Sequence, residues 1–265
     1  MVIVNHEEIR DVFAFVGKEL LANYSHREAP ADREEMFERF TAANEWAEEE
    51  IKKFLLDRYP AVHWSDAELV FEKQKTPEFR GAYWVLDPVD GGMHLHQGCA
   101  FWGMSLCLVE NGQPSYALVY DAYRDECFHA FHGQGAFLNG EPTQIARKTR
   151  VHDSLLVTAP PAVIVEDPVN TELTIWSIGK LLPEAFAVRL LGSVALQLAY
   201  VACGRMDAYW EYGEQLYDWM AGALIVKEAK GSVTDIRGQE FTWGSIGIIA
   251  GNEPLRQEIQ TLLMR

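Results

Sequence analysis

The chain has 265 residues, enough for one large domain or two packed subdomains. Apolar residues make up 48% of it and aromatics 12%, which supports a substantial core and argues against a disordered chain. A formal net charge of −16 sets it against nucleic-acid backbones and anionic membrane surfaces, and suits cation binding.

In chain order, MVIVNHEEIRDVF lacks the basic start and apolar run of a secretory signal. No stretch approaches the roughly 18 apolar residues of a membrane span. From Ile9, apolar residues at Val12, Phe13, Val16 and Leu20 predict a helix. A loop over HREAPADREE is followed by a second predicted helix, TAANEWAEEEIKKFLLDRYP, with Trp46, Ile51, Phe54 and Leu55 inward and Pro60 ending it. From Trp84, FWGMSLCLVE, SYALVYD and ECFHAF are rich in strand formers. ENGQP and DAYRD between them read as tight turns, so an antiparallel meander is expected, closed by HGQGAFLNGEP. After about residue 150 the pattern alternates. LLVTAP, AVRLL, MDAYWE and GIIAGN read as strands, and TELTIWSIGKLL, SVALQLAYVACG and DWMAGALIVKEAKG as helices, with a terminal helix last. Such alternation predicts an α/β layer with a more parallel sheet. We therefore expect an N-terminal α+β half over 1–149 and a C-terminal α/β half over 150–265 that pack as one unit. The four cysteines, Cys99, Cys107, Cys127 and Cys203, form no C-x-x-C pair, and buried reduced thiols in a cytoplasmic protein are expected.

The stretch WVLDPVDGGMHLHQG, from Trp84 to Gly98, carries the chemistry. Asp87 and Asp90 at a strand end could hold a hard divalent cation such as Mg²⁺. Pro88 stiffens the turn, and the Val89 carbonyl offers one more oxygen. Gly91 and Gly92 let backbone N–H groups approach an anion. A metal beside a phosphate anchor would make a phosphoryl-transfer site, although D-x-x-D-G alone is a weak signal.

WVLDPVDGG resembles the first signature of the inositol monophosphatase family, and LYDWMAGALIVKEAKG resembles its second. VYDAYRDECFHAFHGQGAFLNGEP and RLLGSVALQLAYVACGRMDAYWE also look like family segments in the right order, so the resemblance covers about residues 40 to 255. It implies a layered α/β/α/β/α sandwich, a Mg²⁺-dependent phosphomonoesterase acting on a small phosphorylated metabolite, and a homodimer. By resemblance, Asp87 bridges metals, Asp90 serves a second metal and Asp218 is the third aspartate. Glu211 takes a substrate hydroxyl, Gly192, Ser193 and Val194 line the substrate, and Gly91 and Gly92 cradle phosphate. Asp218 could equally be a helix cap, and Glu211 a polar strand end.

Three positions depart from the family. Gly92 stands where a hydroxyl that activates water is expected, and Asn44 where its aspartate partner is expected. Ala67 stands in place of a metal-ligating glutamate, with Asp66, Glu68 and Glu72 nearby as substitutes and Glu68 a candidate catalytic group. One Mg²⁺ site is therefore expected, and a second is in doubt. His94 and His96 would share one side if extended, either binding metal or facing water as polar loop residues; His129 and His132 are expected at the surface or hydrogen-bonded in the core. The readings left open are a divergent phosphatase on a sugar, inositol or nucleotide phosphate, a pseudophosphatase binding a phospho-ligand or protein, and a repurposed enzyme in the same pocket.

Overall fold

The computed structural model describes residues 2–25, 28–67 and 70–264. Two helices open the chain. Asn5 caps α1 (His6–Asn23), whose buried stripe is Ile9, Phe13, Val16, Gly17 and Leu20. The second, α2 (Arg33–Arg58), starts earlier than its apolar pattern announces. Asp32 accepts the Glu35 N–H at 3.0 Å and Glu35 accepts the Ala31 N–H at 2.7 Å, a reciprocal cap inside the segment expected to be a loop.

The first sheet has seven strands in sequence order: β1 (His63–Trp64), β2 (Tyr83–Asp90), β3 (Gly103–Glu110), β4 (Gln113–Asp121), β5 (Glu126–Phe131), β6 (Ala136–Leu138) and β7 (Glu141–Thr143). From β2 to β7 it is the expected antiparallel meander, while β1 runs parallel to β2. Asn111 and Gly112 both take positive φ in the β3–β4 hairpin, which is what an Asn-Gly turn supplies. A short helix, α3 (Gly92–His96), follows β2.

The second sheet has the order β11-β12-β10-β8-β9, from β8 (Leu155–Thr158), β9 (Ala187–Leu190), β10 (Ala208–Glu211), β11 (Ser232–Thr234) and β12 (Ile248–Gly251). It is mixed rather than mainly parallel. Strand β8 pairs in parallel with β9 and β10, whereas β12 is antiparallel to β10 and β11, because the chain reaches β12 through the short strand β11. The helices are α4 (Pro168–Leu181), α5 (Val194–Ala202), α6 (Leu216–Glu228) and α7 (Glu253–Leu263).

Three apolar clusters define the layering. One joins α1 and α2 to the outer face of the first sheet, one joins α5 and α6 to the facing sides of both sheets, and one joins α4 and α7 to the far side of the second. The result is the α/β/α/β/α sandwich. Every residue of α5 is buried, since two sheets cover it from opposite sides. No described helix is long and apolar enough to cross a membrane. All four cysteines are free; Cys107 and Cys127 are buried as expected, but Cys99 is exposed and Cys203 only partly covered.

Candidate active site

Strand β2 creates the site through an irregularity. Side chains alternate along a strand, so Asp87 and Asp90, three apart, would face opposite sides. Pro88 lacks the N–H of a ladder bond, and the register slips between them: Asp87 pairs with Ser105 but Asp90 with Gly103. The extra residue brings Asp90 round to the inter-sheet side, where α5 begins.

There Asp90 meets a helix N-terminus. Its Oδ2 accepts from Ser193 Oγ (2.6 Å) and the Ala195 N–H (2.7 Å), and its Oδ1 accepts from the Val194 N–H (3.1 Å). Ser193 Oγ in turn accepts the Leu196 N–H at 3.1 Å as the cap of α5. Burial pushes the Asp90 carboxyl up to about 6, and the bonds from Ser193, Ala195 and Val194 hold it from going further. Asp87 is equally sheltered, and its Oδ1 accepts the Val89 N–H at 3.1 Å. Gly91 turns the chain at φ 81°, and a Cβ there would stand 3.0 Å from Ser193 N, so this turn requires glycine for conformation and for space.

Glu211 ends β10 and is buried. Its Oε2 accepts from both Tyr209 OH and Trp219 Nε1 at 2.5 Å. Burial raises its carboxyl to about 8, partly offset by those two donors, with the Asp90 charge pushing further upward. Asp218 sits in the first turn of α6, two residues past its start at Leu216, so it is not the cap, which is Gln215. Glu211, Asp90 and Asp218 all act on the Tyr209 phenol and, after burial, push it well up. The carboxylates from β2, β10 and α6 thus converge on one region between the sheets. Trp219 is a buried partner of Glu211.

Mg²⁺ takes oxygen donors at about 2.0–2.1 Å, so ligands of one ion lie within roughly 4.2 Å of each other. Asp87, Asp90 and Asp218 do not gather as a group within 4.8 Å, and Asp90 is tied to the start of α5. The oxygen donor set suits Mg²⁺ held by one or two carboxylates with water completing its shell, the usual mode for this ion. It does not form a cage of all three aspartates.

The departures from the family pattern have structural counterparts. A Cβ on Gly92 would collide with the Phe40 ring, 2.6 Å from its Cε2, so Phe40 fills the place of the expected hydroxyl-bearing side chain. Asn44, one turn further along α2, keeps its buried Oδ1 without a hydrogen-bond partner. Ala67 is buried in the central cluster, and its carbonyl accepts from Gln74 Nε2 at 2.8 Å. Two of its expected substitutes are on the surface: Asp66 pairs with Lys52 at 2.9 Å and Glu72 with Lys75 at 2.8 Å. Glu68 lies outside the described residues.

The histidines also differ from expectation. Because 92–96 is helical, His94 and His96 do not share a side, and neither is a solvent-facing loop residue. His96 is fully buried, with Nδ1 3.2 Å from the Tyr24 carbonyl. The His94 ring lies against Gly192, so closely that a Cβ there would overlap it, and its Nδ1 is buried with no hydrogen-bond partner. Burial holds the His94 imidazole below its usual value. His129 is buried and His132 exposed. Sequence reasoning missed Phe40, whose half-apolar helix face carried no signal for it. It also missed Glu78, which accepts from Ser65 Oγ beside the Ala67 loop, while Ser65 Oγ lies 3.2 Å from Tyr217 OH.

Comparison with known proteins accounts for this arrangement. The model of the inositol monophosphatase family matches residues 7–265. A Nus factor SuhB from Xylella fastidiosa is 34% identical over 227 residues, covering 83% of this chain and 80% of that protein. An inositol-1-monophosphatase from Bacillus subtilis is 31% identical, covering 80% of each chain. Among solved structures, the extragenic suppressor protein suhB of Bartonella henselae superposes over the whole of both chains, with a TM-score of 0.81 at 26% identity. An inositol monophosphatase from Anabaena gives 0.80 at 26%, covering 97% of this chain and 94% of that one. Two signature segments, a five-layer sandwich and carboxylates converging from β2, β10 and α6 have one common explanation: the chain belongs to the inositol monophosphatase family.

Proposed function

We propose that this chain is a divergent metal-dependent phosphomonoesterase for a small sugar, inositol or nucleotide phosphate. The family is metal-dependent, generally on Mg²⁺, and acts on small phosphorylated substrates. The observation that carries the reading is the junction of Asp90 with the N-terminus of α5, which keeps the metal turn and the substrate turn in contact. In this reading Asp87, Asp218 and the Val89 carbonyl hold one Mg²⁺, and Asp90 orients the turn. Amides at Gly91 and Gly92 receive the phosphate, and Gly192, Ser193, Val194 and Glu211 face the rest of the substrate. Bound there, the ion would polarise a phosphoryl oxygen and lower the pKa of a water. Glu211, protonated near neutral pH, would donate a hydrogen bond to a substrate hydroxyl. Glu68 is the residue assigned, from the sequence, to take a proton from water.

A second reading, a phospho-ligand binder with little turnover, is favoured by Phe40 at Gly92 and by Ala67 in the core. A positioned general base is worth roughly 10²–10⁴-fold, and its loss would leave binding intact. The deciding experiment measures phosphate release from sugar, inositol and nucleotide monophosphates with Mg²⁺ or Mn²⁺, against Asp87→Asn. Turnover that disappears in the variant supports the phosphatase. Metal-dependent binding of the same esters without release above the variant supports the binder.

We also propose that the chain is a homodimer of two halves per subunit, 1–149 and 150–265. The support is an apolar face on α4 and the segments beside it: Val169, Ile175, Trp176, Leu182 and Phe186 are exposed. A cytoplasmic location is supported by the four free thiols.

A further inference from the structure

We propose that His6, Cys127 and His129 form a second metal site, for a thiolate-seeking transition ion of the Zn²⁺ class. It is independent of the proposed phosphatase site. Period-two alternation puts Cys127 and His129 on one face of β5, the face covered by α1. The start of α1 lays His6 over them, its ring stacked on His129 with centroids 3.5 Å apart and planes at 24°. One ligand atom from each of the three lies within 4.8 Å of the other two, and among the described residues no other such group occurs.

Two further observations point to a ligand. His129 is 6% exposed, yet its Nδ1 has no hydrogen-bond partner. An imidazole placed only for packing, here between His6 and Phe137 (5.1 Å, 15°), would be expected to satisfy that nitrogen. Tyr116 OH lies 2.9 Å from His6 Nδ1 and holds that ring in place, as outer groups do for metal-bound imidazoles. Zinc bonds of about 2.0–2.3 Å put tetrahedral ligand atoms roughly 3.3–3.8 Å apart. The site therefore forms when the ligand atoms close by about 1 Å and the His6 ring turns off the His129 face, which aims both in-plane nitrogens at one ion with water as fourth ligand. Two imidazoles and a thiolate select Zn²⁺, Co²⁺ or Cu⁺ over Mg²⁺. On binding, the Cys127 S–H bond gives way to a sulfur–metal bond, the proton leaves to solvent, and the ion sheds waters. His6 is half-exposed and gives the ion its entry. The site is on the opposite face of the first sheet from the aspartates and three strands away, roughly 14 Å at about 4.8 Å per strand.

The test is Co²⁺ titration of chelator-treated protein, read by sulfur-to-cobalt charge-transfer absorption. The expected result is saturation at one equivalent and displacement by Zn²⁺. Cys127→Ser abolishes the band, and Tyr116→Phe weakens binding about tenfold. Asp87→Asn and Cys99→Ser leave the band unchanged. His6→Gln, at a half-exposed helix start, weakens binding at least tenfold and decides the matter if Cys127→Ser fails to fold. No band in the folded wild type, a band that survives Cys127→Ser, a Co²⁺ affinity unchanged in His6→Gln, or a band lost with Cys99→Ser would overturn the site.

Discussion

Gly92 is a missing hydroxyl in the sequence and a filled space in the structure. Phe40 occupies the volume a side chain would need, and Phe40 and Asn44 lie one helical turn apart on α2. A ring thus covers the position where the resemblance leads one to expect a water-activating hydroxyl. Restoring the family residues at Gly92, Asn44 and Ala67 alone is expected to fail. Gly92→Thr should destabilise the chain by about 1–3 kcal/mol through overpacking. Combined with Phe40→Ala, it should cost less than the two single changes summed, read as a coupling in a urea double-mutant cycle. Strict additivity would mean that the ring is not what blocks the position. A gain in phosphate release from the repaired triad is expected only with Phe40→Ala present.

Among the elements, α4 is amphipathic in the reverse sense. Its buried residues are Thr174, Ser177 and Leu181, with Ser177 Oγ accepting the Trp210 indole N–H at 2.9 Å. Its exposed stripe holds Val169, Leu173 and Trp176, at i, i+4 and i+7. The pattern TELTIWSIGKLL announces a helix but not which face the core takes. The core takes the polar face because Trp210 on β10 needs a hydrogen-bond acceptor. The apolar face is left exposed, and it is the face the proposed dimer would cover with a second copy of the chain. Sedimentation velocity should show a dimer at micromolar concentration, and Trp176→Asp with Phe186→Asp should give a monomer with unchanged circular dichroism. A wild-type monomer would refute the dimer.

For the whole molecule, two sheets closing on α5 and α6 bury acids that a single layer would leave wet. Glu211 is the clearest case: burial raises its carboxyl to about 8 from an ordinary 4.5. A raised acid binds its proton more tightly in the folded state. Its contribution is fully present below the unfolded value and lost as pH rises through the folded one. Stability should fall between about pH 5 and pH 8, by an amount on the order of a few kcal/mol. Glu211→Gln keeps the shape without the ionisation, so its urea midpoint should vary less across that range and exceed the wild type's at the alkaline end. Parallel profiles would assign the pH dependence to other groups.

Taken by itself, the sequence determined most helices and strands, the meander and the family, because periodicity, Asn-Gly and Asp caps, and the two signatures are local. It did not reveal the start of α2, where a cap outweighed a polar, loop-like composition, or β12 turning antiparallel. Tertiary structure alone decided the working character of the site. The bulge at Pro88 turns Asp90 to α5, Phe40 covers Gly92, His94 lies on Gly192, and Ala67 sinks into the core while Asp66 and Glu72 stay on the surface. His6 meets Cys127 and His129 across more than a hundred residues. Each of these depends on volumes and hydrogen-bond partners from distant segments, and no spacing within one stretch encodes them.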